Sequence, residues 1–305
     1  MSTAAHRDRG DPRTRAGRGP AALLGLLAPA LAVVVLLFGG GLARGVLQAL
    51  GHLPAAGLTT LTGAHFQRVL ADPDFLASLG LTFYIAAVST LAAAAIAVPA
   101  ALALNSWAGR SPRVQFLFQI PLTVPHLVVA VAVMFLLSPT GLLARAAAQL
   151  GLITAPEHFP LLVNDPWGIG IMAAYVWKEV PFIALMVLSV LQGAGSELTE
   201  VARTLKAGPW QRFRHITLPI ILPGLGAACL IVFAYTFGAF EVPYLLGRTY
   251  PMMLPVWAYK HYSDVDLLSR PEGIAAGLAI AAVVSLAVAL SQALARAARR
   301  RGVVL

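Results

Sequence analysis

The sequence predicts an all-α, polytopic membrane protein with six transmembrane helices, and three observations carry that prediction. Only 11% of the 305 residues are charged and 58% are hydrophobic, whereas a soluble domain carries roughly 25% charged residues. The apolar residues stand in long blocks instead of amphipathic stripes, and a helix needs ~20 mostly apolar residues to cross a bilayer. The basic residues are shared unequally between the segments that join those blocks, as the positive-inside rule requires. The net charge of +9 is thereby assigned to loop arginines and not to a nucleic-acid partner.

The elements follow in order. Residues 1–20 hold Arg7, Arg9, Arg13, Arg15 and Arg18 and read as a disordered basic tail. The apolar run at 21–38 exceeds the roughly 7–15 residues of a signal-peptide core, so it is predicted to remain as the first span, with an outer loop to residue 65. Five further blocks lie at 79–104, 114–137, 168–191, 222–246 and 273–294, and 295–305 forms a second basic tail. An even number of spans puts both termini on one side. With that side inside, the two tails, the segment holding Arg110 and Arg113, and the segment holding Arg203, Lys206, Arg212 and Arg214 contain fifteen of the 22 Lys and Arg residues. The outer segments contain six: Arg44, Arg68, Arg145, Arg248, Lys260 and Arg270. Both termini are therefore predicted to be cytoplasmic, together with the loop joining the fourth and fifth spans. Cys229 is the sole cysteine, which excludes an internal disulfide and predicts a small buried residue.

That cytoplasmic loop, at 193–223, is the most informative segment. Ser196 is a good N-cap, and Glu197 and Glu200 sit where the helix dipole favours negative charge. Leu198, Val201, Ala202 and Leu205 follow i, i+3, i+4, i+7 spacing and make one apolar face. Gly208 is predicted to stop this helix. Pro209 opens a second one, 209–217, with Trp210, Phe213 and Thr217 on one side, since the missing proline N–H costs nothing at a first helical position. Leu218 and Pro219 then lead into the fifth span. Such a helical hairpin suits either an interfacial element resting on anionic membrane lipid or a docking element for a cytoplasmic partner.

Glu200-x-Ala202, a small-residue turn and Ile216-x-Leu218-Pro219 resemble the EAA loop of permease subunits of binding-protein-dependent ABC importers (type I). "HFQRVLADPDFLASLGLTFYIA", "IPLTVPHLVVAVAVMFLL" and "YVWKEVPFIALMVLSVLQG" are also similar to stretches of that family. The resemblance covers about 66–294 and implies a five-helix core preceded by one accessory helix at 21–65. Two positions depart from the pattern. Val201 stands where the family has a second alanine, and Lys206 stands at the usual glycine, so Ala207 and Gly208 are expected to supply the turn.

What the resemblance implies is a coupling helix seated in a groove of an ABC ATPase dimer. Glu200, Ala202, Arg203, Ala207 and Gly208 would dock there, and Leu218 and Pro219 would set the angle of re-entry into the fifth span. It further implies a second permease subunit, identical or homologous, a periplasmic or lipid-anchored substrate-binding protein, and a bacterial inner membrane. ATP is expected on the partner: the sequence has no G-x-x-x-x-G-K-[ST] phosphate loop, and none of Lys178, Lys206 and Lys260 follows a glycine. No cofactor and no enzymatic activity are expected of this chain.

Lys178 and Glu179 fall mid-block in the fourth span, and Glu241 falls late in the fifth. A charge at the centre of a span costs roughly 2.5–3.5 kcal/mol on insertion scales and usually faces a wet path or the bundle interior. Glu179 and Glu241 each begin Glu-Val-Pro-aromatic, and each proline invites a kink. These three residues are candidates for lining a translocation path; the alternative is a structural ion pair or a carboxyl bonded to freed backbone. His126 is expected to pack. Met252 and Met253 lack the His/Cys cluster of a copper site, and "YKHYSDVD" fits a partner-binding loop or a solvated one equally.

A secondary transporter with inverted repeats is the alternative reading, and a membrane scaffold a third. Neither needs an ATPase dock. For substrate, "FGAFEVPYLLG" resembles the permeases grouped with polyamine, iron and thiamine uptake more than those for sugars.

Overall fold

A computed structural model describes residues 20–106, 111–194, 202, 204 and 206–300, with backbone alone for 20–23, 194 and 298–300. Glu200 and Arg203 therefore lie outside the described residues, as do Ser196, Glu197, Leu198, Val201, Leu205 and Arg110. Among the described residues there is no strand, only an isolated bridge between Leu53 and Leu58.

Helices α1 (Pro20–Val33) and α2 (Gly40–Ala49) join through a π-helical stretch, Val34–Gly39, into one rod. A short α3 (Ala64–Ala71) precedes α4 (Pro73–Asn105), whose start is capped by Asp72 accepting from the Asp74 N–H at 2.8 Å. Then come α5 (Pro112–Thr123), α6 (His126–Leu137), α7 (Leu142–Gln149) and α8 (Ile169–Ala194). The chain continues with α9 (Pro209–Arg212), a π-helical stretch (Phe213–Thr217), α10 (Leu218–Gly238), α11 (Glu241–Leu246), α12 (Leu254–Tyr262) and α13 (Arg270–Arg300). Six helical segments are long and apolar enough to span: Leu24–Ala49, Pro73–Asn105, His126–Gln149, Ile169–Gly193, Pro209–Gly238 and Leu267–Ala297. The all-α polytopic prediction holds.

Three expected boundaries change, each at a proline. The third block is not one helix: it breaks at Val124 and Pro125 into α5 and α6, because the residue before a proline is pushed out of the helical region and Val124 takes ψ 128. The fifth span ends at Gly238, with Ala239 extended at ψ 137. Pro243 would collide with the carbonyl four residues back, at Ala239, if the helix ran on. Glu241 therefore opens α11 instead of closing the fifth span. The third change is a continuity. Residues 209–217 do not form a separate helix but run into α10, with the π-helical stretch just ahead of Pro219. Pro181 lies inside a helix that continues through it, so of the two Glu-Val-Pro prolines only Pro243 interrupts its span.

The core is three apolar clusters strung along the bundle. At the end bearing the loop, Ala93, Ala97, Ala101 and Leu104 of α4 meet Ile183, Ala184, Val187 and Leu191 of α8 and Ile221 and Val232 of α10. Small residues let two helices approach closely where lipid offers no hydrophobic drive. A second cluster joins Ile85, Val129, Ala130, Ile171, Tyr175, Val242 and Leu246, and a third, at the far end, joins Phe75, Trp257 and Ala276. α12 brings Leu254, Val256 and Trp257 into the core, a helix where the sequence suggested only loop. Within α4, Thr82 donates to the Ser78 carbonyl at 2.6 Å and accepts from the Leu254 N–H at 2.7 Å. Along α1 and its π-helical extension, Leu24 to Phe38 are exposed, the surface a helix presents to lipid. Cys229 is half-buried, not buried.

Candidate functional site

In the loop between α8 and α9 the described residues are 202, 204 and 206–208. The Ala207 N–H donates to the Ala202 carbonyl at 3.0 Å across a Lys206 held at φ 56. A six-to-one bond across a left-handed residue is the Schellman ending of a helix. The turn is thus made by Lys206, not by Gly208 as expected from sequence, and Lys206 adopts the conformation that glycine fills most cheaply. Gly208 is extended, at ψ 161, and begins the next helix: its N–H donates to Gln211 Oε1 at 3.0 Å. Ala202 is buried, Ala207 and Gly208 are half-buried, Leu218 is half-buried and Pro219 exposed. Trp210 is 68% exposed and stacks on Phe213 with centroids 5.5 Å apart. The hairpin thus presents an aromatic pair beside Lys206 and Arg214, both exposed.

The second site lies where the third span is broken. α5 ends and α6 begins within an apolar stretch, leaving a helix C-terminus and a helix N-terminus where Val124 and His126 are half-buried. Their unpaired backbone groups are costly in such a place. Lys178 and Glu179 are only 6% and 8% exposed. The Lys178 ammonium donates to the Val124 carbonyl, at the end of α5. The Glu179 carboxylate lies 3.8 Å from Nε2 of His126, the first residue of α6. A cation at a helix C-terminus and an anion at a helix N-terminus both oppose the local dipole. The adjacent pair on α8 therefore serves the two ends of one break.

The His126 ring stands 4.7 Å from the Tyr235 ring of α10, and together with Leu122, Lys178, Glu179, Phe182, Ile231 and Val232 these rings line a cavity of about 220 Å3. Glu241, exposed at the start of α11, acts electrostatically on Tyr235 and Tyr175, as does Glu179. Glu179 and Glu241 thus share one pair of tyrosines, whereas Lys178 turns to the Val124 carbonyl. The structure adds Tyr235 and the Val124 carbonyl, which sequence reasoning missed, and His126, expected to pack, stands against Tyr235. The signal available was Val124-Pro125-His126, a helix breaker followed by a polar residue within an apolar block. Among the described residues no group of three or more His, Cys, Asp or Glu side chains is placed to hold a metal ion.

Comparison with known proteins agrees with this architecture. The chain is 26% identical over 214 residues to the molybdenum transport system permease protein ModB of Azotobacter vinelandii, covering 69% of this chain and 90% of that one. It is 28% identical over 225 residues to the sulfate transport system permease protein CysW of a Synechocystis, covering 72% and 76%. It is 30% identical over 136 residues to the spermidine/putrescine transport system permease protein PotB of Haemophilus influenzae, covering 45% and 46%. Among solved structures, a bacterial ABC transporter that imports the acidic polysaccharide alginate shares the fold, with a TM-score of 0.76 at 20% identity over 90% of this chain and 94% of that one. Residues 93–301, well over half of the sequence, match the family described as binding-protein-dependent transport system inner membrane component. The helical architecture and that match together make this chain a member of the family, a multi-pass permease subunit of an ABC importer.

Proposed function

We propose that this subunit forms half of a translocation path across a bacterial inner membrane and receives its driving force through the hairpin at 193–223. The observation that carries the reading is the defined turn of that hairpin. A Schellman ending at Ala202–Ala207 and a helix that runs without interruption from Pro209 to Gly238 give a short lever rigidly joined to a span. A force on the turn is then transmitted along α9 and α10 and not absorbed in a flexible joint. Glu200, Ala202, Arg203, Ala207 and Gly208 would engage a groove of an ABC ATPase dimer, and Leu218 and Pro219 pass the motion into α10. ATP belongs to that partner, and this chain requires no cofactor of its own. A second permease subunit completes the pore, and a periplasmic or lipid-anchored binding protein delivers the solute. The ending of α10 into α11, "FGAFEVPYLLG", together with the similarity to PotB, supports a small solute of the polyamine, iron or thiamine class.

The test is co-purification with a co-expressed ABC ATPase, comparing wild type with Glu200→Ala and Ala202→Arg. Both variants are expected to lose substrate-stimulated ATP hydrolysis while the membrane domain keeps its thermal stability. Hydrolysis that stays coupled in Ala202→Arg overturns the assignment of the hairpin.

A further inference from the structure

We propose that a cavity at the outer end of the first span holds one phospholipid, its phosphodiester on Arg44 and its headgroup of net negative charge. The site needs no ATPase and no transported solute, so it is independent of the importer reading. The starting observation is an unmatched arginine. Of the five arginines assigned to outer segments, four donate to the protein itself. Arg68 donates to His65 and pairs with Glu272, Arg145 donates to the Thr140 carbonyl, Arg248 to the Pro251 carbonyl and Arg270 to the Tyr262 carbonyl. Arg44 makes no hydrogen bond or ion pair among the described residues. Nor does it close the end of its own helix. The Val46, Leu47 and Gln48 carbonyls accept from the Leu50, His52 and Gly51 N–H groups, so the last turn of α2 is satisfied without it.

Arg44 lines a cavity of about 310 Å3 with Gln48 and His52 as its other polar members; the remaining walls are apolar, Leu47, Leu53 and Ala55 among them. The loop that forms the far wall is pinned back on itself. Leu53 and Leu58 form a bridge, and the His52 Nδ1 lies 3.4 Å from the Thr59 carbonyl. The depth is that of lipid phosphates. At about 1.5 Å per residue, a hydrocarbon layer of about 30 Å is crossed in roughly 20 residues from Leu24, where the span begins, and Arg44 then stands at the outer boundary. Guanidinium groups bind phosphate through paired, charge-assisted hydrogen bonds. No carboxylate lines the cavity to balance a headgroup ammonium beside Arg44, which favours a headgroup of net negative charge. Gly41 and Gly40, one turn deeper in the membrane, have open space where a side chain would stand, a groove for an acyl chain below the headgroup. Apolar walls beside a single cation suit such an amphiphile, not a free hydrated anion.

Native mass spectrometry of the delipidated full chain, titrated in detergent with equal amounts of phosphatidylglycerol and phosphatidylethanolamine, tests this. A single phosphatidylglycerol is expected to be retained severalfold more strongly than phosphatidylethanolamine. Arg44→Gln is expected to weaken that retention by about tenfold as the charge-assisted bonds to phosphate are lost. Ala55→Trp fills the cavity and leaves the charge in place. It is expected to weaken retention severalfold, whereas an arginine that only reaches the headgroups of bulk lipid is indifferent to it. Both positions are exposed, so both variants are expected to keep the wild-type unfolding temperature in lipid-free detergent. Inorganic phosphate is expected not to displace the lipid. Equal retention of the two lipids, retention unchanged in Arg44→Gln or in Ala55→Trp, or displacement by inorganic phosphate overturns the proposal.

Discussion

Lys206 occupies a backbone conformation that L-residues enter at a cost of roughly 1–2 kcal/mol, and it does so at the one point where the hairpin reverses. Lys206→Gly is expected to relieve that strain without altering the bonds around it. Hydrogen exchange at the Ala207 amide, which donates across the turn, is then expected to slow by about tenfold, since about 1.4 kcal/mol is a factor of ten in an opening equilibrium. Lys178 is a different kind of residue. Its ammonium satisfies a carbonyl that the helix break has released, so Lys178→Met leaves that acceptor buried and unpaired. The expected loss is about 1–3 kcal/mol, read as a lowered unfolding temperature in detergent. Outside the membrane, His65 is buried and accepts from Arg68 at 2.9 Å, and Arg68 pairs with Glu272 at 3.0 Å. Burial, then the Arg68 charge, hold the His65 imidazole below its ordinary 6.5. A folded-state value below the unfolded one means that the neutral ring stabilises the fold: its contribution is present above 6.5 and is lost as pH falls from there through the folded value. The unfolding temperature is expected to drop over that acidic window in wild type and to drop less in His65→Gln. These residue roles are the part least legible in the sequence, which marked Lys178 and Glu179 as costly charges and Val124-Pro125-His126 as a helix breaker but did not join the two, since 54 residues separate Lys178 from Val124.

Elements were more legible in their existence than in their ends. Hydropathy alone located all six spans, because twenty apolar residues have few other destinations. It located the breaks poorly, because Pro99, Pro181 and Pro223 sit inside continuous helices, whereas Pro125 and Pro243 interrupt theirs. Whether a proline breaks a helix depends on whether a neighbour receives the released backbone groups. At Pro125 the neighbour is α8, through Lys178. At Pro243 the break turns Glu241 out of α10 and into an exposed position on α11. Pro243→Ala restores an N–H able to reach the Ala239 carbonyl and favours continuation of α10. Uptake is expected to fall severalfold while ATPase association is kept, a separation measured by transport in proteoliposomes beside pull-down. Undiminished uptake counts against any role for the break.

At the scale of the whole molecule, the pairing of α4 with α8 is the spine. Ala93, Ala97 and Ala101 are all fully buried in the cluster that α4 shares with α8 and α10, where small side chains let the helices approach closely. Ala97→Leu is expected to cost about 1–3 kcal/mol by overpacking and to lower the unfolding temperature accordingly. The charge asymmetry makes a separate claim on the molecule's orientation: cysteines placed at 193–223 are expected to label only from the cytoplasmic side, and labelling from outside defeats the topology.

The number of spans, their all-helical class and the address of the proposed coupling hairpin follow from the linear sequence, because each rests on local composition: apolar length, basic loops and a short motif. The meaning of the buried charges does not. Lys178 and Glu179 acquire their tasks from a helix break on another element, and the cavity beside them exists because α6, α8 and α10 leave room at one depth. Such contacts are set by packing between segments far apart in the chain, for which neighbouring residues hold no signal.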